Sequence, residues 1–207
     1  MKTILFQGDS ITDVGRSRSN DNERGLGYPH LVTARMGFDN PDAYTFINRG
    51  ISGNRVVDLY ARIKIDFINL NPDFLSILIG VNDVWHELGG QNGVCAEKFE
   101  KVYSMLMEEI QEACPQTKIL LMEPFVLPGT ATCEHIEYFK TEVALRAQAV
   151  KRVAEKYNCG FLPLQNLFDE ACKKAPEACW LADGVHPTAF GHELIAREWV
   201  KKYNEMM

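Results

Sequence analysis

The chain has 207 residues, with 22 Lys and Arg against 28 Asp and Glu, so its formal net charge is −6. Hydrophobic residues make up 46% and charged residues 24%, which suits one globular domain over 1–207 that buries ~70% of its unfolded surface. That balance excludes disorder, collagen-like repeats, small disulfide scaffolds and nucleic-acid binding driven by charge, and no apolar stretch approaches the ~20 residues of a membrane span.

The first run, residues 4–6, reads as a short strand. Met1 to Asp9 turns polar too soon for a secretory signal, so the expected location is the cytoplasm. Four further compact apolar runs, at 44–47, 74–79, 118–122 and 159–162, also read as buried parallel strands. Between them the apolar residues recur every three or four positions, as amphipathic helices require. Val56, Leu59, Ile63, Phe67 and Leu70 form one such stripe; Phe99, Val102, Leu106, Ile110 and Ala113 form the next. The longest runs from Ile136 through Phe139, Val143, Ala147, Val150 and Ala154 to Tyr157, and a last helix is predicted over 189–203. Strands alternating with helices predict an α/β three-layer sandwich, α/β/α, around a five-stranded, mostly parallel sheet. Three irregular stretches, 14–27, 85–94 and 125–134, follow strands one, three and four. They are therefore expected on the rim beyond the strands' carboxyl ends, where such sheets gather their functional groups. The six cysteines (Cys95, Cys114, Cys133, Cys159, Cys172 and Cys179) contain no C-x-x-C pair and read as free thiols of a reducing compartment.

Gly8-Asp9-Ser10 follows the first strand directly, where a nucleophile can be presented on the rim. A nucleophilic serine needs a base, and the base needs an orienting acceptor. Of the five histidines, only His186 has an aspartate close by in a loop flanked by Gly and Pro, in Asp183-Gly184-Val185-His186-Pro187. Their separation lets one turn bring the carboxylate to one ring nitrogen. His192 lies well inside the last helix and reads as structural or solvated, and Asp9 reads as a brace for the turn. Donors for a developing oxyanion have two sources: the Asn82 amide in Gly80-Val81-Asn82-Asp83, and a backbone N–H in 48–54, where a glycine permits close approach. Each of these strings alone is also an ordinary turn.

Gly8-Asp9-Ser10-Ile11-Thr12-Asp13, Gly53, Gly80-Val81-Asn82-Asp83 and Asp183-Gly184-Val185-His186-Pro187 together resemble the four blocks of the GDSL, or SGNH, hydrolase family, in order and near its usual spacing. The resemblance implies a flavodoxin-like fold with Ser10 as nucleophile and Asp183–His186 completing a triad. It also implies an oxyanion hole from the Ser10 and Gly53 N–H groups and the Asn82 amide. The strings 47–54, 79–85 and 183–197 are similar to the branch containing intracellular acetylxylan esterases. This implies a serine esterase acting on small acyl esters of carbohydrates such as xylo-oligosaccharides, with no cofactor and no metal.

Other chemistries find less support. The α/β-hydrolase pattern needs G-x-S-x-G, and no serine here has that context. An aspartyl phosphatase needs a second Asp where Ile11 stands, and a dinucleotide site needs G-x-G-x-x-G after strand one. A zinc hydrolase recruiting Asp183, His186 and His192 lacks a third convincing ligand. Within the family, a thioesterase or lysophospholipase would use the same blocks. A carbohydrate- or lipid-binding module with a degenerate site would lack one of them. Trp85 and Trp180 flank two blocks and read either as sugar platforms or as packing. Arg49, with Arg16 and Arg18, is a candidate for contacting hydroxyls or a carboxylate. The partner implied is a small ester, with neither nucleic acid nor membrane, and a homo-oligomer stays open.

Overall fold

The apolar runs are strands because each is short and continuous, and the three central ones are buried on both faces, the pattern of a parallel sheet under two helical layers. The structure, a computed structural model, describes the whole chain from Met1 to Met207. In chain order, β1 (Lys2–Gly8) leads into one helical turn, α1 (Ser10–Asp13), then α2 (Tyr28–Asp39), β2 (Tyr44–Asn48), α3 (Val56–Ala61) and α4 (Ile63–Asp66). There follow β3 (Phe74–Leu78), α5 (Val81–Gly90), α6 (Ala96–Ala113) and β4 (Lys118–Met122). The chain closes with α7 (Ile136–Lys156), β5 (Gly160–Leu162), α8 (Gln165–Cys172) and α9 (Ala189–Met206).

The strand order is β2-β1-β3-β4-β5 and every pair is parallel, so the sheet is wholly rather than mostly parallel. The order reverses between β1 and β3, the switch point at which α/β sheets open a crevice beyond their carboxyl ends. Register levels those ends: Phe6 pairs with Asn48 and Gly8 with Leu78.

Successive side chains of a strand face opposite sides. Ile4 and Phe6 accordingly enter one apolar cluster, with Tyr28 and Val32 of α2 and Trp199 and Tyr203 of α9. Leu5 enters the other, with Val56 of α3, Tyr103 and Leu106 of α6 and Val150 of α7. Burial of each such large side chain contributes about 1.5–3 kcal/mol, and Trp199 stacks on Tyr203 with centroids 5.5 Å apart. No helix is long and apolar enough to cross a membrane, and the six cysteines are unpaired.

Two expectations about elements are corrected. The stripe from Val56 to Leu70 is not one helix but α3, α4 and a 3-10 turn, Ile68–Leu70. The break falls at Arg62, whose guanidinium turns inward to the Arg49 carbonyl, Asn54 Oδ1 and Asp66 Oδ2. The stripe stays buried through Phe67, with Leu70 half-buried, although the backbone does not stay one helix. The second correction is 85–94, which is helical through Gly90, not irregular. Gly89-Gly90 lowers helix propensity, but α5 packs on α7, where Trp85 meets Phe139 edge to face, 6.1 Å apart. The helix ends only at Gln91, in the left-handed region at φ 50°.

Candidate active site

The turn after α8 is built to hold one carboxylate against one imidazole. An isolated antiparallel bridge, Leu181 to Pro187, closes its base, and the Ala182 N–H bonds the His186 carbonyl at 2.8 Å. Inside it, Asp183 Oδ1 accepts the backbone N–H groups of Val185 and His186 at 2.9 and 2.8 Å. Oδ2 lies 2.7 Å from His186 Nδ1. A carboxylate only accepts, so the ring proton resides on Nδ1 and Nε2 is left to accept. Burial opposes ionisation of Asp183, yet the His186 backbone and ring N–H and the Val185 N–H outweigh it and hold the carboxyl below its usual range. Gly184, at φ 100°, lets the turn sit against segment 125–134; an added Cβ would lie 2.4 Å from Thr132 Oγ1.

The acceptor on His186 faces Ser10, whose hydroxyl lies 2.9 Å from Nε2. Ser10 opens α1 at the end of β1, and Asp9 caps that turn through Oδ1, which accepts the Ile11 N–H at 2.9 Å. Asp9 therefore braces the turn. Its other oxygen is buried without a partner, and burial pushes the carboxyl up to about 7, partly offset by the Ile11 N–H.

Ser10, Gly53, Asn82 and His186 line one cavity of about 600 Å³, together with Ser52, Trp85 and His86. Gly89, Gly90 and Asn92 extend its wall. Trp85 is its single hydrophobic lining residue, with its ring 5.9 Å from that of His186. Gly53 stands at φ 80°, where a side chain would strain the backbone. Asn82 Nδ2 donates to the Asn54 carbonyl at 3.1 Å, which ties the two candidate donor segments together.

Two of the proposed substrate contacts do not reach this cavity. Trp180 is half-buried in the first apolar cluster, and its indole N–H donates to the Ala175 carbonyl at 3.2 Å. Arg49 pairs with Asp21 and lies 3.6 Å from Asp66. Arg16 donates to the Gly50 carbonyl at 2.7 Å and Arg18 to the same oxygen at 2.8 Å, so both serve the backbone. Phe125, Val126 and Leu127 are core residues and not part of the wall. His192 is buried and structural: Nδ1 accepts the Tyr28 N–H at 3.2 Å, and burial, with the nearby His186, brings it down to about 4.

Several positioning residues escape sequence reasoning. Asp13 accepts the backbone N–H and the hydroxyl of Ser52, each at 2.9 Å, and so fixes the chain entering Gly53. Asn48 donates to the Thr12 carbonyl at 2.7 Å and accepts the Gly50 N–H at 2.9 Å. Asp83 is buried and accepts the Val56 N–H at 3.1 Å, joining α5 to α3; burial raises its carboxyl well above the usual range. All three stand inside the quoted strings, but nothing local says which backbone groups they meet. No group of three or more His, Cys, Asp or Glu side chains is arranged to hold a metal ion.

Comparison with known proteins agrees with this geometry. The model of the GDSL-like lipase/acylhydrolase family matches residues 6–194. The chain is 34% identical to an acetylxylan esterase of Geobacillus stearothermophilus over 209 aligned positions, 96% of this chain and 92% of that one. The crystal structure of that esterase superposes with a TM-score of 0.87 over 97% of this chain and 93% of the other. Its solved forms include catalytic mutants in which a serine, an aspartate or a histidine is replaced, the last two three positions apart. A protein of Parabacteroides merdae described as a GDSL-like lipase is 39% identical, with a TM-score of 0.91 over 98% of this chain and 95% of that one. The match of fold, blocks and overall sequence shows that the chain belongs to the GDSL-like lipase/acylhydrolase family and is a carboxylic ester hydrolase.

Proposed function

We propose that the protein is a serine esterase that removes acetyl or similarly small acyl groups from carbohydrates such as xylo-oligosaccharides, through an acyl-enzyme. The observation that carries this reading is the lining of the cavity. Around Ser10 stand hydroxyl, amide and imidazole groups and glycines, with Trp85 as the single hydrophobic residue. A long acyl chain gains ~0.8 kcal/mol for each CH₂ it buries against apolar walls, and such a wall is supplied here by one indole only. An indole face beside hydroxyl-binding groups suits the C–H face of a sugar. The 34% identity to the acetylxylan esterase supports the same substrate class.

His186 takes the Ser10 proton through Nε2 as Oγ attacks the ester carbonyl. The oxyanion is held by the Ser10 and Gly53 N–H groups and the Asn82 amide. His186 then protonates the sugar oxygen that leaves as the ester C–O bond breaks, and activates the water that releases the acid. Asp183 keeps the proton on Nδ1 and stabilises the imidazolium. The reading needs no cofactor. It takes residues 1–207 as one domain in the cytoplasm, a location supported by six unpaired cysteines.

The test is kcat/KM on acetylated xylo-oligosaccharides beside acyl-CoA, lysophospholipid and a p-nitrophenyl acyl series. The expected result is a fall from acetyl to butyryl to octanoyl, with the saccharide esters ahead of the lipid and thioester substrates. A flat or rising acyl series would replace this reading with a thioesterase or lysophospholipase.

A further inference from the structure

Half of the cavity's lining comes from one helix. Asn82, Trp85, His86, Gly89 and Gly90 of α5 recur at spacings of three and four, so they share a face, and all five line the cavity. At 1.5 Å per residue, that face carries the wall about 12 Å away from Asn82.

Its far half is made of glycine without a packing reason. Glycine is the least favourable helix residue apart from proline, and here two stand in succession. A Cβ at Gly89 or Gly90 would meet nothing within 4 Å, and neither has a positive φ. Larger side chains are compatible with the fold at both positions, but they would project into the cavity. Beyond the glycines, left-handed Gln91 folds the chain back, and the Asn92 N–H bonds the His86 carbonyl at 3.1 Å. Arg55, gripped by Asp58, donates to both the carbonyl and the side-chain oxygen of Asn92, at 2.6 and 2.8 Å. The Asn92 amide nitrogen is therefore the end free to donate. Half-buried His86 stands between Trp85 and this terminus.

We propose that this face of α5 is a leaving-group shelf, on which the saccharide rings beyond the acetylated one lie over Gly89-Gly90 with His86 and Asn92 meeting their hydroxyls. The enzyme then prefers acetylated oligosaccharides to acetylated monosaccharides. The inference rests on the carbohydrate reading above and adds chain length to it.

The experiment compares kcat/KM on acetylated xylotetraose with that on acetylated xylose, in wild type and in the series Gly89→Ala, Gly89→Val and Gly89→Phe. The tetraose-to-xylose ratio should exceed tenfold in wild type and decline along the series, by at least tenfold at Phe. Thermal melts identify any variant that does not fold, and Ala and Val carry the trend if Phe fails. His86→Ala should raise KM for the tetraose several-fold more than for xylose. A ratio near one in wild type, or one that stays constant along the series, overturns the shelf while leaving the carbohydrate esterase standing. Wild-type protein that cleaves p-nitrophenyl acetate but neither saccharide ester overturns the carbohydrate reading itself.

Discussion

Two rim segments, 14–27 after β1 and 81–92 after β3, invert what their compositions suggest. The first is rich in charge, with Arg16, Arg18 and Arg24, and resembles a surface for binding polar substrates. Its guanidinium groups are already engaged: Arg16 and Arg18 share the Gly50 carbonyl, and Arg24 donates to the Phe46 carbonyl at 2.9 Å. The second carries paired glycines and looks like a plain loop, yet it forms the helical wall of the cavity. Donors that the fold has already satisfied bind nothing further without a cost. Recognition falls to groups whose hydrogen-bonding capacity is unused.

The comparison breaks most sharply at Ser10. Ser10→Ala should lower kcat by ~10⁴–10⁶ without unfolding the protein, and Asp183→Asn by up to ~10⁴, because an amide favours the wrong His186 tautomer. Ester hydrolysis within tenfold of wild type for Ser10→Ala, in preparations free of other esterases, would remove the serine from the mechanism.

Next in size is Asn82, on the α5 side. In the proposed mechanism its amide meets a charge that exists only after attack, so Asn82→Ala should cost ~10²–10³ in kcat, about 2.7–4 kcal/mol, with little change in KM. Should KM rise while kcat holds, Asn82 is a ground-state contact.

The arginine segment should behave in the opposite way. Arg16→Ala strips a buried donor from the Gly50 and Ser17 carbonyls and should destabilise the fold by ~1–3 kcal/mol, read by chemical denaturation. KM for acetylated xylo-oligosaccharides should stay within about twofold of wild type. A large rise in KM with unaltered stability would return Arg16 to the substrate and undo the contrast between the two segments.

The smallest effect concerns Asp9, which precedes both segments in the chain. Its carboxyl moves from 3.8 to about 7 on folding, so the folded state holds the proton more tightly. Stability from this group is complete below about pH 4 and declines as pH rises to about 7. Asp9→Asn should flatten that decline by about 1.4 kcal/mol or more. Buried Asp83 moves in the same direction, so part of the slope remains. Denaturation curves at pH 4, 5.5 and 7 that keep the wild-type slope would mean that Asp9 is ionised throughout.

The chain itself determined the strands, the layer architecture and the block order, because these follow from local apolar periodicity and from residue types at the ends of strands. Ser10, Asp183 and His186 were legible for a related reason. The two members of the Asp183–His186 pair lie within one turn, and Ser10 directly follows a strand whose carboxyl end faces the crevice. The break of the Val56–Leu70 stripe, the helical state of 85–90 and the fates of Trp180 and Arg49 were decided only in three dimensions. Apart from Trp180, each depends on a partner outside its own local run: Arg62 on Arg49, Trp85 on Phe139, Arg49 on Asp21 and Asp66. A side chain's type announces what it is able to bond, but whether that capacity is left for a substrate depends on which distant groups the fold has already brought to it.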